Sequence, residues 1–224
     1  MEEQYNDLLE NICRNIDKDS LIDAMKENIE KLKRHEIPIT YPNDIKDMNG
    51  LLMLSMQGIE FMRESIISLS AFPLIAKDWI KVLAEYLHGE KCVEIMAGSG
   101  MLTYALKEMG IDIIATDNGE WEWEHKWTEV KQMDYQESIK CYMKECSYLI
   151  LSWPEMGENA DYALRLMRKE NPKAKMVYIG EFGGCCANQE FVDAARIVDR
   201  EWICKINENF VNWAGIHDKV FILK

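Results

Sequence analysis

The chain has 224 residues, 48% of them hydrophobic, enough for one sizeable core with a small added layer. Its formal charge of -13 is spread evenly: residues 1–90 carry 17 acids against 10 bases, and residues 91–224 carry 22 against 16. A phosphate backbone or an anionic bilayer would be repelled by such a surface, so nucleic-acid and membrane partners are disfavoured, and no apolar run reaches the roughly 18 residues of a membrane span.

Seven cysteines without a CxxC pair, and an opening Met-Glu-Glu-Gln without an apolar signal segment, read as reduced thiols in a cytoplasmic protein. Four scattered histidines supply no zinc-ligand spacing, so no metal is expected.

In chain order, the first 90 residues read as helical. Tyr5, Leu8, Leu9, Ile12 and Ile16 recur at spacings of three and four, and Leu21, Ile22, Met25, Ile29 and Leu32 repeat the pattern, with Ser20 and Asp23 as a capping box. A connector over 37–49 precedes a third helix from Gly50 to Ser70, and a fourth opens at Pro73 and stops at Gly89. Residues 1–72 read as a helical extension, suited by its Met-rich run Leu51–Met62 to core packing, to covering a site or to forming a homodimer.

From Lys91 short apolar runs alternate with helical patterns, the signature of β-α units on a mostly parallel sheet. Strands are expected at Cys92–Met96, Ile111–Thr116, Glu129–Met133, Tyr148–Ser152 and Met176–Gly180. Helices are expected at Met101–Met109, Ala160–Lys169 and Gln189–Val198, and Trp202–Ile206 with Val220–Leu223 reads as a terminal antiparallel pair.

One segment points to chemistry. Val93-Glu94-Ile95-Met96-Ala97-Gly98-Ser99-Gly100 is a strand running into a small-residue turn that opens a helix, where a ligand can approach the backbone closely and free amides favour a polar group. Asp117 closes the next strand, and a carboxylate there suits the paired hydroxyls of a ribose. Met96 stands where a glycine would make the turn more permissive, a position compatible with ordinary strand conformation.

This pattern resembles the class I methyltransferases, whose first motif runs acid-x-Gly-x-Gly-x-Gly and whose second strand ends in an acid. The resemblance covers roughly residues 73–224 and implies a Rossmann-like α/β fold: a mostly parallel seven-stranded sheet flanked by helices, binding S-adenosylmethionine. It further implies that Glu94 and the turn Ala97, Gly98, Ser99 and Gly100 approach the methionine part of the cofactor. Asp117 would hold the ribose, with Asn118 beside the adenosine and Met133-Asp134 near the adenine amino group.

After its fourth strand the amino-methylating branch of that family carries Asn/Asp-Pro-Pro-aromatic, and here Ser152-Trp153-Pro154-Glu155 follows. Ser152, Pro154 and Glu155 are therefore candidates to face the acceptor, Ser152 and Trp153 also to border the cofactor. Glu181, in Gly180-Glu181-Phe182-Gly183-Gly184-Cys185-Cys186, is a second candidate base. Trp121, Trp123 and Trp127 either wall the pocket or pack on the N-terminal helices, and His125 reads as a surface residue.

The expected activity is methyl transfer to a small molecule or a protein side chain. The alternatives are a non-catalytic cofactor-binding module acting through a partner, a nucleic-acid amino-methyltransferase, and a nucleotide-dependent oxidoreductase, whose glycine pattern fits less well.

Overall fold

The structure is a computed structural model describing residues 18–46, 60–213 and 215–224. The helix expected over Tyr5–Ile16 and most of the Met-rich run lie outside the described residues; Met62 lies within them and is buried.

Eight helices are formed among the described residues: α1 (Lys18–Lys33), α2 (Glu60–Leu69), α3 (Lys77–Leu87), α4 (Met101–Glu108), α5 (Tyr135–Tyr142), α6 (Asn159–Glu170), α7 (Gln189–Ala194) and α8 (Arg200–Asn207). Ser20, expected as a cap, lies inside α1. The helix expected from Pro73 begins at Lys77, because Leu74 and Ile75 run into the core first and the Leu74 carbonyl accepts the Trp79 indole N–H at 3.0 Å.

Six strands form the sheet among the described residues: β1 (Lys91–Ile95), β2 (Asp112–Asp117), β3 (Lys131–Gln132), β4 (Tyr148–Ser152), β5 (Lys175–Gly180) and β6 (Lys219–Leu223), ordered β3-β2-β1-β4-β5-β6. The first five are parallel and β6 runs antiparallel to β5. Strands with apolar residues on both faces, such as Tyr148-Leu149-Ile150-Leu151, need helices on both sides, and they have them. One face packs on α3, α4 and α8 together with Leu21, Met25 and Ile66 of the N-terminal helices; the other packs on α5, α6 and α7.

The seven-stranded expectation fails at Trp202–Ile206, which is the body of α8. Trp202 and Ile206 are four apart, and Glu201 pairs with Lys205 at 2.9 Å across one helical turn, so the period of 3.6 wins over the short apolar run. Consequently β6 pairs with β5, from Met176↔Leu223 to Gly180↔Lys219.

Candidate functional site

The strand order reverses between β1 and β4, and open α/β sheets bind ligands in the crevice at the carboxyl ends of such neighbours. A cavity of about 690 Å³ opens there, within the range of roughly 300–1,000 Å³ typical of small-molecule sites.

The turn after β1 forms part of its floor. Gly98 and Gly100 take φ of +54° and +73°, the left-handed conformations for which glycine is suited. Met96 takes φ +53°, which corrects the expectation of an ordinary strand residue. Its amide neighbour explains the kink: the Ala97 N–H turns back to donate to the Thr116 carbonyl at 3.0 Å, so the chain must bend at the strand end. A Cβ on Gly100 would stand 2.8 Å from Val130 Cγ2 and 2.9 Å from Thr128 Cγ2, so this glycine serves packing and does not line the cavity. Ser99 is buried and its hydroxyl donates to the Ser70 carbonyl, clamping the turn to the end of the N-terminal segment.

Asp117, at the end of β2, ties the two strand ends together. Its Oδ2 accepts the Gly98 N–H at 2.9 Å and its Oδ1 accepts the Gly119 N–H at 2.8 Å, and the residue lines the cavity. Glu94 also lines it, only 2% exposed, with Oε2 accepting the Thr103 hydroxyl at 2.5 Å. Burial pushes its carboxyl up to about 7, against the opposing hydrogen bonds from Thr103.

On the β2–β3 side, Ala97, Asn118 and Asp134 line the cavity. Asp134 caps α5, accepting the Gln136 N–H at 2.8 Å. Met133 is not on the wall; its N–H donates to the Asp117 carbonyl at 2.8 Å and continues the strand pairing. The same rim carries three side chains that sequence reasoning missed: Gln136 Nε2 donates to the Tyr135 hydroxyl at 3.2 Å, which donates to Asn159 Oδ1 at 3.3 Å. Asp134 as a cap, with Gln136 and Glu137 in the turn after it, was the available signal for α5.

On the β4 side, Ser152, Trp153, Pro154 and Glu155 all line the cavity. Trp153 turns left-handed at φ +49°, its N–H donates to the Ile179 carbonyl at 2.7 Å, and its indole N–H donates to Asp218 Oδ2 at 3.0 Å. Asp218 is buried, which pushes its carboxyl up to about 6, with the Trp153 hydrogen bond opposing. The Trp153 ring stacks on Phe72, centroids 5.7 Å apart at 18°, so the connector between α2 and α3 roofs the site. Nothing in the periodicity of the extension marked Phe72; an aromatic-proline pair in a linker was the only cue.

Glu181 does not line the cavity. Its carboxylate accepts the Cys185 thiol at 2.7 Å, the Cys185 N–H at 3.2 Å and the His217 N–H at 2.6 Å, and the thiol bond above all holds it below the usual carboxylate range. It fastens the loop after β5, which presents Cys185 to the cavity.

The tryptophan segment divides by residue. Trp121 and Trp123 face the cavity, and the Trp123 indole lies 3.0 Å from where a Cβ on Gly98 would stand. Trp127 is buried and donates its indole N–H to the Leu69 carbonyl at 2.7 Å. His125 is off the wall, 4.4 Å from the His35 ring, and burial lowers its pKa.

Glu94, Asp117, Glu120, Asp134 and Glu155 thus share a cavity that, among the described residues, no Lys, Arg or His side chain lines. No family model matches the chain, and no curated protein matches it. Among solved structures, a mutant of MtNAS is similar at 11% identity, covering 98% of this chain and 76% of that one, with a TM-score of 0.38. Human N-acetylserotonin methyltransferase in complex with SAM is similar at 8% identity, covering 90% of this chain and 66% of that one, with a TM-score of 0.39.

Proposed function

We propose that the protein is an S-adenosylmethionine-dependent methyltransferase acting on a small molecule or a protein side chain. The observation that carries this reading is the Gly98–Asp117 hydrogen bond: it joins the close-approach turn after β1 to the carboxylate ending β2, on the cavity that Glu94 floors.

The donor set fits the cofactor. A cavity with five carboxyl groups and, among the described residues, no basic side chain favours a ligand of net positive charge, and S-adenosylmethionine, whose sulfonium and α-ammonium groups outweigh its one carboxylate, is such a ligand. Asp117 uses one lone pair on each oxygen for backbone amides and keeps acceptor capacity for hydroxyls. When bound, the cofactor supplies an electrophilic methyl group. The chain's own residues position and shield: Asp117 orients the ribose, Asp134 stands at the adenine end, and Phe72 with Trp153 keeps water off the acceptor side. Glu155 receives the proton that an acceptor loses.

Calorimetric titration with S-adenosylmethionine and S-adenosylhomocysteine tests the reading. Binding of both, lost in Asp117→Ala, is the expected result; binding of neither by the wild-type protein defeats it.

A further inference from the structure

We propose that the end of the cavity bounded by Phe72, Trp153 and Glu155 binds a small amine with an apolar body as its ammonium ion, and that this amine is the methyl acceptor: once one N–H proton passes to Glu155, the freed nitrogen lone pair would form the N–CH3 bond as the S–CH3 bond of S-adenosylmethionine breaks, leaving neutral S-adenosylhomocysteine sulfur. The inference rests on the reading above and narrows its acceptor class.

Charge gives the first argument. An anionic acceptor would meet five carboxyl groups with no Lys, Arg or His among the described residues lining the cavity to compensate, and close like charges are costly where water is displaced. Three of those carboxylates are already engaged: Glu94 by Thr103, Asp117 by the amides of Gly98 and Gly119, and Asp134 by that of Gln136. The Glu155 side chain is exposed and has no hydrogen-bond or ion-pair partner among the described residues, so it is available to a ligand ammonium.

The aromatic wall gives the second. Phe72 stacks on Trp153 and meets the Trp123 ring at 90° with centroids 6.3 Å apart, so three adjoining aromatic rings, with the π-faces they carry, border the space. Such faces carry negative potential and attract ammonium groups, the more so when partly desolvated. The rim gives the third. Phe72, Trp121 and Met156, 36%, 66% and 72% exposed, are three of the five large hydrophobic residues left exposed among the described residues, and all three line this cavity. Exposed apolar residues gathered at one mouth mark a binding surface for an apolar body.

The test measures binding, by calorimetry and tryptophan fluorescence, of three probes with the same three-carbon tether: 3-phenylpropylamine, 3-phenylpropanol and 3-phenylpropionate, on the protein alone and saturated with S-adenosylhomocysteine. The amine is expected to bind at least about tenfold more tightly than the carboxylate, with the alcohol between. Glu155→Gln, an exposed change, is expected to weaken the amine about fivefold and leave the alcohol unchanged, whereas Phe72→Ala weakens both. An amine that does not bind, binds no better than the carboxylate, or is indifferent to Glu155→Gln overturns the inference. Amine preference without S-adenosylhomocysteine binding would defeat the cofactor reading alone; S-adenosylhomocysteine binding without charge preference would defeat the amine alone.

Discussion

Met96 and Trp153, the first residues past the neighbouring strands β1 and β4, both adopt left-handed backbone conformations, at φ +53° and +49°. Two adjacent strand ends therefore bend where the cavity opens, and neither position holds the glycine that would make the bend easy. Met96→Gly is expected to leave stability within about 1 kcal/mol of wild type, because relief of strain offsets the lost side-chain contact. Met96→Ile, β-branched, is expected to cost about 2 kcal/mol. Urea unfolding of the two variants gives both numbers.

Gly100 and Gly110 separate conformation from packing. Both have positive φ, at +73° and +82°, but an added Cβ collides with Val130 and Thr128 at the first and meets nothing within 4 Å at the second. Gly110→Ala should cost about 1 kcal/mol and Gly100→Ala about 3 kcal/mol. Equal losses in thermal or denaturant unfolding would contradict the packing described around Gly100.

Glu94 makes stability depend on pH with a defined sign. Its carboxyl is raised from an ordinary 4.5 to about 7 by burial, so the folded chain holds a proton that the unfolded chain has released. The contribution of Glu94 to stability is fullest below about 4.5 and declines as pH rises toward 7, by on the order of 3 kcal/mol across that window. Glu94→Gln, which can still accept from Thr103, should flatten this slope and be the more stable protein at pH 8. Chemical denaturation at a series of pH values decides it.

The same carboxyl gives the cofactor reading a pH signature. A cation in the cavity favours ionised Glu94, so affinity for S-adenosylmethionine should rise across about pH 6 to 8, more than affinity for S-adenosylhomocysteine, which lacks the sulfonium charge. Calorimetry in buffers of different ionisation enthalpy should show proton release on binding. A constant affinity ratio for the two ligands would count against a nearby Glu94.

Cys185 is held by Glu181. Burial and, next, the Glu181 carboxylate raise the thiol above its ordinary range. Glu181→Gln removes the charge, so alkylation of Cys185 by iodoacetamide should accelerate about threefold at pH 8, followed by mass spectrometry of its peptide. Unchanged labelling would show that the loop does not depend on that contact.

Most of the β-α alternation from Lys91 onward was legible because β1, β2, β4 and β5 are short apolar runs, and Tyr148–Ser152 matches β4 residue for residue; β3 is only the polar pair Lys131-Gln132, and α5 after it carries no strong apolar period. Of the expected terminal pair, Val220–Leu223 is strand β6, whereas Trp202–Ile206 is helical, because Trp202, Ile203 and Ile206 suit a half-buried helix as well as a strand and one Glu201–Lys205 pair favours the helix. At the cavity, Glu94, Gly98 and Asp117 were readable because strand, turn and strand end are local. Phe72 and Asp218 were not, since they reach the site through tertiary packing from distant connectors, and Asn159 was not, since only the start of α6 brings it to the rim. Glu181 looked available in the sequence because nothing local shows that His217, 36 residues on, would occupy its carboxylate.

The clamp between Ser99 and Ser70, with the Trp127 indole on Leu69, has an evolutionary reading. It holds Ala71, Phe72 and Pro73 over the cavity without enlisting them in the β-ladder, so this short bridge can be rewritten while the sheet stays intact. Substitutions at these three positions would reshape the cavity's roof while every strand pairing beneath it stays in place.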